Sequence, residues 1–158
     1  MLTRSLLRIA ALIVAAMAIH RFSVVPYRDN LLVGDVARRS TLAQNADPAE
    51  AMSLATTDIH ELERAEDGRR LDPNWYLLYG ANCELADRWH DAEIAYTRAL
   101  RIDNRPEIYV NRGLVLLHLG RTSEGEADLA TAARFDPGIL NNLDELLRAR
   151  VAAAAGLH

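Results

Sequence analysis

The side chains most able to do chemistry in this chain are one cysteine and five histidines. Cys83 is the only thiol, so no disulfide can form within the chain. A nucleophilic thiol needs an electropositive neighbourhood that lowers its pKa, and its neighbours Glu84 and Asp87 are acids. The thiol therefore reads as a small apolar core group. The histidines stand at 20, 60, 90, 118 and 158. No two fall at the spacing of three or four residues that sets two ligands on one helix face. Asp87, His90 and Asp91 cluster near one turn and read as a solvated polar turn. The sequence holds no glycine-rich phosphate loop, no Gly-x-Ser-x-Gly elbow and no shielded carboxylate pair. The expectation is a non-enzyme, with no catalytic residue, metal, cofactor or small-molecule substrate.

What remains is binding, and the elements that would position a binding surface are written in Asp72 to Pro137. Gly80, Ala92, Tyr96 and Ala99 are matched by Gly113, Gly125, Leu129 and Ala132, with an offset of 33 in every case. Small residues recur where two helices approach closely, and large ones fill the hollow between them. A period of this size implies stacked helical hairpins. Helices are expected over 74–86, 90–102, 106–119 and 122–135, with turns at Asp87-Arg88, Asn104-Arg105 and Gly120. Asp47-Pro48 resembles an N-cap followed by Pro at the first helical position, and opens a one-sided helix that ends in Leu71-Asp72-Pro73. That segment, 48–71, reads as a lone capping helix. Residues 27–47 read as a linker or short helix, since Leu31, Leu32, Val36 and Leu42 are loosely spaced. Leu140, Leu143, Leu146, Leu147 and Val151 make 138–158 a second capping helix. No sustained apolar and polar alternation marks a strand, so the chain is all-α.

On these residues the sequence resembles the tetratricopeptide repeat (TPR) family, whose unit is a helix-turn-helix of about 34 residues. The first unit, 72–105, carries Tyr76, Gly80, Leu85, Trp89, Ala92, Tyr96 and Ala99, with Asn104 in the place of the closing Pro. The second, 106–137, carries Tyr109, Gly113, Leu116, Leu119-Gly120, Leu129, Ala132 and Pro137, with Gly125 replacing the inter-helix Ala. That Gly lowers helix propensity by about 1 kcal/mol, so its helix depends more on packing. The resemblance implies a short right-handed hairpin solenoid with a concave groove. Its groove-lining places fall on Asn74, Leu77, Ala81, Glu84 and Leu85, then on Glu107, Val110, Leu114, Leu117 and His118. Members that grip a C-terminal carboxylate use Lys and Asn where this chain has Leu77 and Ala81, and only Asn111 agrees with that clamp. The groove floor is expected to be mostly apolar and suited to an amphipathic helix or hydrophobic peptide, with Arg112 or Glu107 setting register at the rim. Residues 27–47 of the same chain are the competing occupant.

Charge and the N-terminus set the location. Residues 1–28 hold four Arg and no acid, whereas 29–158 hold 14 Arg against 22 acids. An acidic globular part has no basic face for a phosphate backbone, so no nucleic-acid partner is expected. All 18 basic residues are Arg, a bias that fits a GC-rich bacterial genome. Ser5 to Val25 would span about 31 Å as a helix, enough to cross a hydrocarbon core. An uncleaved anchor is one outcome, a signal peptide cleaved after Ala16-Met17-Ala18 is another, and an organelle transit peptide or interfacial helix is the third. Residues 1–26 are thus an N-terminal membrane helix or signal peptide preceding two hairpin units and their caps. The expected location is a bacterial inner membrane, single-pass, with the repeats periplasmic. The expected role is a non-catalytic membrane-tethered scaffold for protein–protein interaction, or alternatively a permanent accessory subunit of a larger membrane complex.

Overall fold

The computed structural model describes residues 25–65 and 72–157, together with Met17. All regular structure among the described residues is helical, and they contain no strand. Several helices start with the same device, a capping residue followed by Pro, whose fixed φ and missing N–H suit the first helical position. Asp47 accepts from the backbone N–H groups of Ala49 and Glu50 at 3.0 and 3.1 Å and starts the helix Pro48–Arg64. Asp72 accepts from Asn74 N–H at 2.9 Å and starts Pro73–Leu85. In chain order the α-helices are α1 Val25–Ala43, α2 Pro48–Arg64, α3 Pro73–Leu85, α4 Trp89–Leu100, α5 Pro106–His118, α6 Thr122–Phe135 and α7 Glu145–Ala155, with a 3-10 turn at Pro137–Asn142.

Each helix packs on the next, and α1 also packs on α3, which gives a solenoid-like stack of hairpins: α1 with α2, α3 with α4, α5 with α6. α7 closes the stack against α6. Two cores follow. One runs from Val36 and Leu62 through Trp75, Cys83 and Tyr96 to Val115. The other joins Leu129 and Ala133 to Leu143, Leu147 and Val151.

The first hairpin departs from expectation. Residues 27–47, read as a linker or short helix, lie mostly in the 19-residue α1, so α2 is the second helix of a hairpin rather than a lone cap. The reason is that the packed face of α1 carries polar residues. Val36 and Ala43 are buried, and Ser40 is buried between them. Asn82 Nδ2 donates to Ser40 Oγ at 3.0 Å, tying α1 to α3. Arg39 donates to Asp58 Oδ1 at 2.6 Å and to Glu61, tying α1 to α2. Burial pushes the Asp58 carboxyl up, and the Arg39 guanidinium draws it part of the way back. A buried carboxylate of this kind is tolerable because the cation reaches it.

The C-terminal segment also differs from a helix running from 138. Asp136 accepts from Gly138 N–H at 2.9 Å and sets the 3-10 turn, and α7 begins only after Asp144, which accepts from Leu147 N–H at 2.9 Å. Arg148 donates to the carbonyls of Leu140 and Leu143, both at 2.8 Å, and so ties α7 back to the 3-10 turn. Leu143, Leu147 and Val151 are buried, but Leu146 is exposed. No helix among the described residues is long and apolar enough to cross a membrane. The span expected at 5–25 lies outside the described residues except for Met17 and Val25.

Candidate partner-binding face

Close helix approach sets the frame of this face. A Cβ on Gly80 would stand 2.6 Å from Tyr96 Cε1, so α3 meets α4 only because Gly80 leaves room for that ring. In the next hairpin a Cβ on Gly113 would stand 3.0 Å from Gly125 O, and one on Gly125 would stand 2.7 Å from Gly113 O. There α5 and α6 touch backbone to backbone. Ala92, Tyr96, Ala99, Leu129 and Ala132 are fully buried between the helices, whereas Pro137 is exposed at the start of the 3-10 turn.

The residues assigned to the groove divide into two groups. Leu77 packs against the first core, and Val110 and Leu117 pack against the second. Leu117 turns inward because Gly125 leaves a hollow: its Cγ lies 2.8 Å from where a Cβ on Gly125 would be. Ala81 and Glu84 are half-buried, and Glu107, Leu114 and His118 are exposed. The accessible surface is therefore mixed, not the mostly apolar floor expected from the sequence. Nor does Arg112 sit free at a rim. Its guanidinium makes a two-pronged contact with Asp128, at 2.6 and 2.9 Å, and donates to Thr97 Oγ1 at 3.3 Å. Glu107 faces Arg105, with 3.4 Å between Oε1 and Nη1. Residues 27–47 extend the row as its first helix, packed on α2 and α3.

Two features of this face were not legible from residue types. Tyr96 O–H donates to the Glu84 carboxylate across α3 and α4. Burial pushes the Glu84 carboxyl up, and the Tyr96 hydrogen bond offsets part of that. Burial and the Glu84 charge together push the Tyr96 hydroxyl up. The second feature is a stack of His118 on Trp89, with ring centroids 3.6 Å apart and planes 18° from parallel. It joins the end of α5 to the start of α4. The offset of 33 relates helices of like order and says nothing of such cross-repeat pairs, so only the stack itself reveals them.

Cys83 is fully buried, and burial pushes its thiol up to about 12. Asp91 is held by Arg88 Nε at 2.7 Å. Among the described residues no group of three or more His, Cys, Asp or Glu is placed to hold a metal.

No protein-family model, curated protein or solved structure matches this chain. The resemblance to TPR units accordingly rests on residues 73–137 themselves.

Proposed function

We propose that this chain is a non-catalytic scaffold of the TPR type, tethered to a bacterial membrane through residues 5–25, whose inner face holds a protein partner. The observation that carries this reading is the succession of hairpins in which α1 packs on α3, with Ala81 and Glu84 of α3 half-buried and Leu114 and His118 of α5 exposed. A row of so few helices offers a small contact area. Tethering compensates by raising the effective concentration of a membrane-bound partner, without any new contact.

The test compares capture of the partner from native membranes by the tagged full chain and by a chain lacking residues 1–24, which keeps α1 whole. The expected result is a loss of capture of at least about tenfold, with the helical content of the remainder intact. Equal capture by the two would sink the proposal.

A further inference from the structure

The two ends of the stack are finished differently. At the C-terminal end α7 closes on α6 with Leu147 and Val151, which are buried. At the N-terminal end α1 packs on α2 and α3 and turns Val36, Ser40 and Ala43 inward, where they are buried. Its other side carries a second row, Leu31, Asp35, Arg38 and Leu42, at successive spacings of four, three and four residues. These residues lie about half a turn around the helix from Ser40, which bonds Asn82 of α3, so the row looks away from α3. All four are exposed, Leu31 by 53% and Leu42 by 67%.

Alternate spacing of three and four residues is the seam along which two helices pack knobs into holes. Here the outer places of the seam are leucines and the inner places are an acid and a base. What those charges permit depends on the direction of the second helix. In a parallel pair each residue meets its own copy, so acid would face acid and base would face base. In an antiparallel pair, a two-fold axis passing between Val36 and Ala37 sets Leu31 opposite Leu42 of the second copy and Asp35 opposite Arg38 of the second copy. The row is its own complement in that orientation, through all four layers. Asp35 and Arg38 already pair within α1, with side chains 51% and 77% exposed, so both can turn to a neighbour without leaving a buried charge. An apolar surface such as a bilayer would instead desolvate the ion pair lying between the leucines, with nothing to replace its water.

We infer that the outward row of α1 docks on the same row of a second copy of this chain, as an antiparallel two-fold pair of α1 helices. Leu31 packs on Leu42 at both ends of the seam, and two Asp35–Arg38 pairs form across the axis at its centre. The contact uses none of Ala81, Glu84, Leu114 and His118 and does not depend on the proposal made for the inner face.

A seam of four layers makes a reversible pair, which cross-linking traps. Two full-length chains with different tags, one carrying Leu31→Cys and the other Leu42→Cys, are produced together and treated in intact cells with a short bis-maleimide. Cys83 is fully buried and stays out of the reaction. A mixed dimer is the expected product. Two copies that both carry Leu31→Cys hold their thiols about 16 Å apart along an antiparallel seam and should give at least about tenfold less. Asp35→Arg in both chains sets Arg against Arg at the central layers and should lower the mixed product at least about tenfold. Adding Arg38→Asp restores opposite charges at those layers and should restore the product. Both charge changes are at exposed residues, outside either core. No mixed product, as expected if a bilayer or another protein covers the row, would overturn the inference. So would an equal yield from two Leu31→Cys copies, an undiminished yield with Asp35→Arg, or no recovery in the exchanged double variant.

Discussion

The two units repeat one frame and diverge in what they set inside it. Gly80 and Gly113 occupy the same place, as do Ala99 and Ala132, because a larger side chain there would enter a neighbouring helix or ring. Other positions are under no such constraint: Tyr79 and Ala95 in the first unit become Arg112 and Asp128 in the second. In the second unit Arg112 and Asp128 pair with each other, whereas in the first the space beside Tyr79 and Ala95 is lined by Trp75, Tyr76 and Ile94 together with the charged Glu63, Asp91 and Arg98. Positions fixed by space keep the fold, and positions outside those contacts are where the units differ.

The largest expected effect comes from the inter-helix contacts. Gly125→Ala sets a Cβ against a backbone carbonyl, which can move only with its helix, and should cost about 3 kcal/mol in denaturant unfolding. Gly80→Ala meets the Tyr96 ring, a side chain rather than backbone but fully buried and held by Glu84, and should cost about 2 kcal/mol. Gly34→Ala in α1 meets nothing within 4 Å and should stabilise by about 1 kcal/mol. Equal costs at Gly80 and Gly125 would remove the distinction between a ring contact and a backbone contact.

Next in size is the ion pair of Arg112 and Asp128 in the second unit. Asp128→Ala leaves the Arg112 guanidinium partly buried with only Thr97 as a side-chain partner, and should cost about 2 kcal/mol by the same measurement. Asp91→Ala in the exposed Arg88 pair of the first unit should cost less than about 1 kcal/mol. Comparable losses would show that the two charge pairs are equivalent.

A smaller effect is expected at the paired turns. Asp87 holds φ at 57°, where the second unit has Gly120 at 76°. A left-handed conformation is strained for a residue with a Cβ, so Asp87→Gly should raise stability by about 1 kcal/mol, read as a higher unfolding midpoint.

The smallest effect is in pH dependence. The Glu84 carboxyl is raised above its ordinary 4.5 by burial, so the folded state holds that proton more tightly than the unfolded one. The stability it contributes is fully present below about 4.5 and is lost as pH rises through the folded value. Glu84→Gln keeps an acceptor for Tyr96 and removes the charge. Its stability should fall less than that of the parent between acid and neutral pH. Asp58 is shifted in the same direction and keeps part of the slope in both proteins. Identical pH profiles for parent and variant would show that the Glu84 charge is not penalised in the fold.

The repeat frame was legible because steric limits at Gly80, Gly113 and Ala99 leave few residue choices, and fixed spacing then exposes the period. α1 was not legible, because the face it buries includes Arg39 and Ser40, which resemble solvent-facing residues until Asp58 and Asn82 are seen opposite them. The accessible face was legible only in part. The family pattern gives the helix face, but Gly125 opens a hollow that Leu117 fills and α7 brings a core that Val110 joins. Both side chains are withdrawn from the accessible face for reasons that lie on other helices. The divergence of the two units could be found in sequence only by comparing Tyr79 and Ala95 with Arg112 and Asp128 across the repeat.

The central claim is that the inner face of α1, α3 and α5 holds a protein partner at the membrane. Photo-cross-linking in native membranes tests it most directly, with the reactive side chain placed singly at Ala81, at Leu114, or at exposed Ser123 on α6. The account predicts the same protein adduct from Ala81 and Leu114 and none from Ser123. No adduct from either inner position, or an equal yield from Ser123, would contradict it.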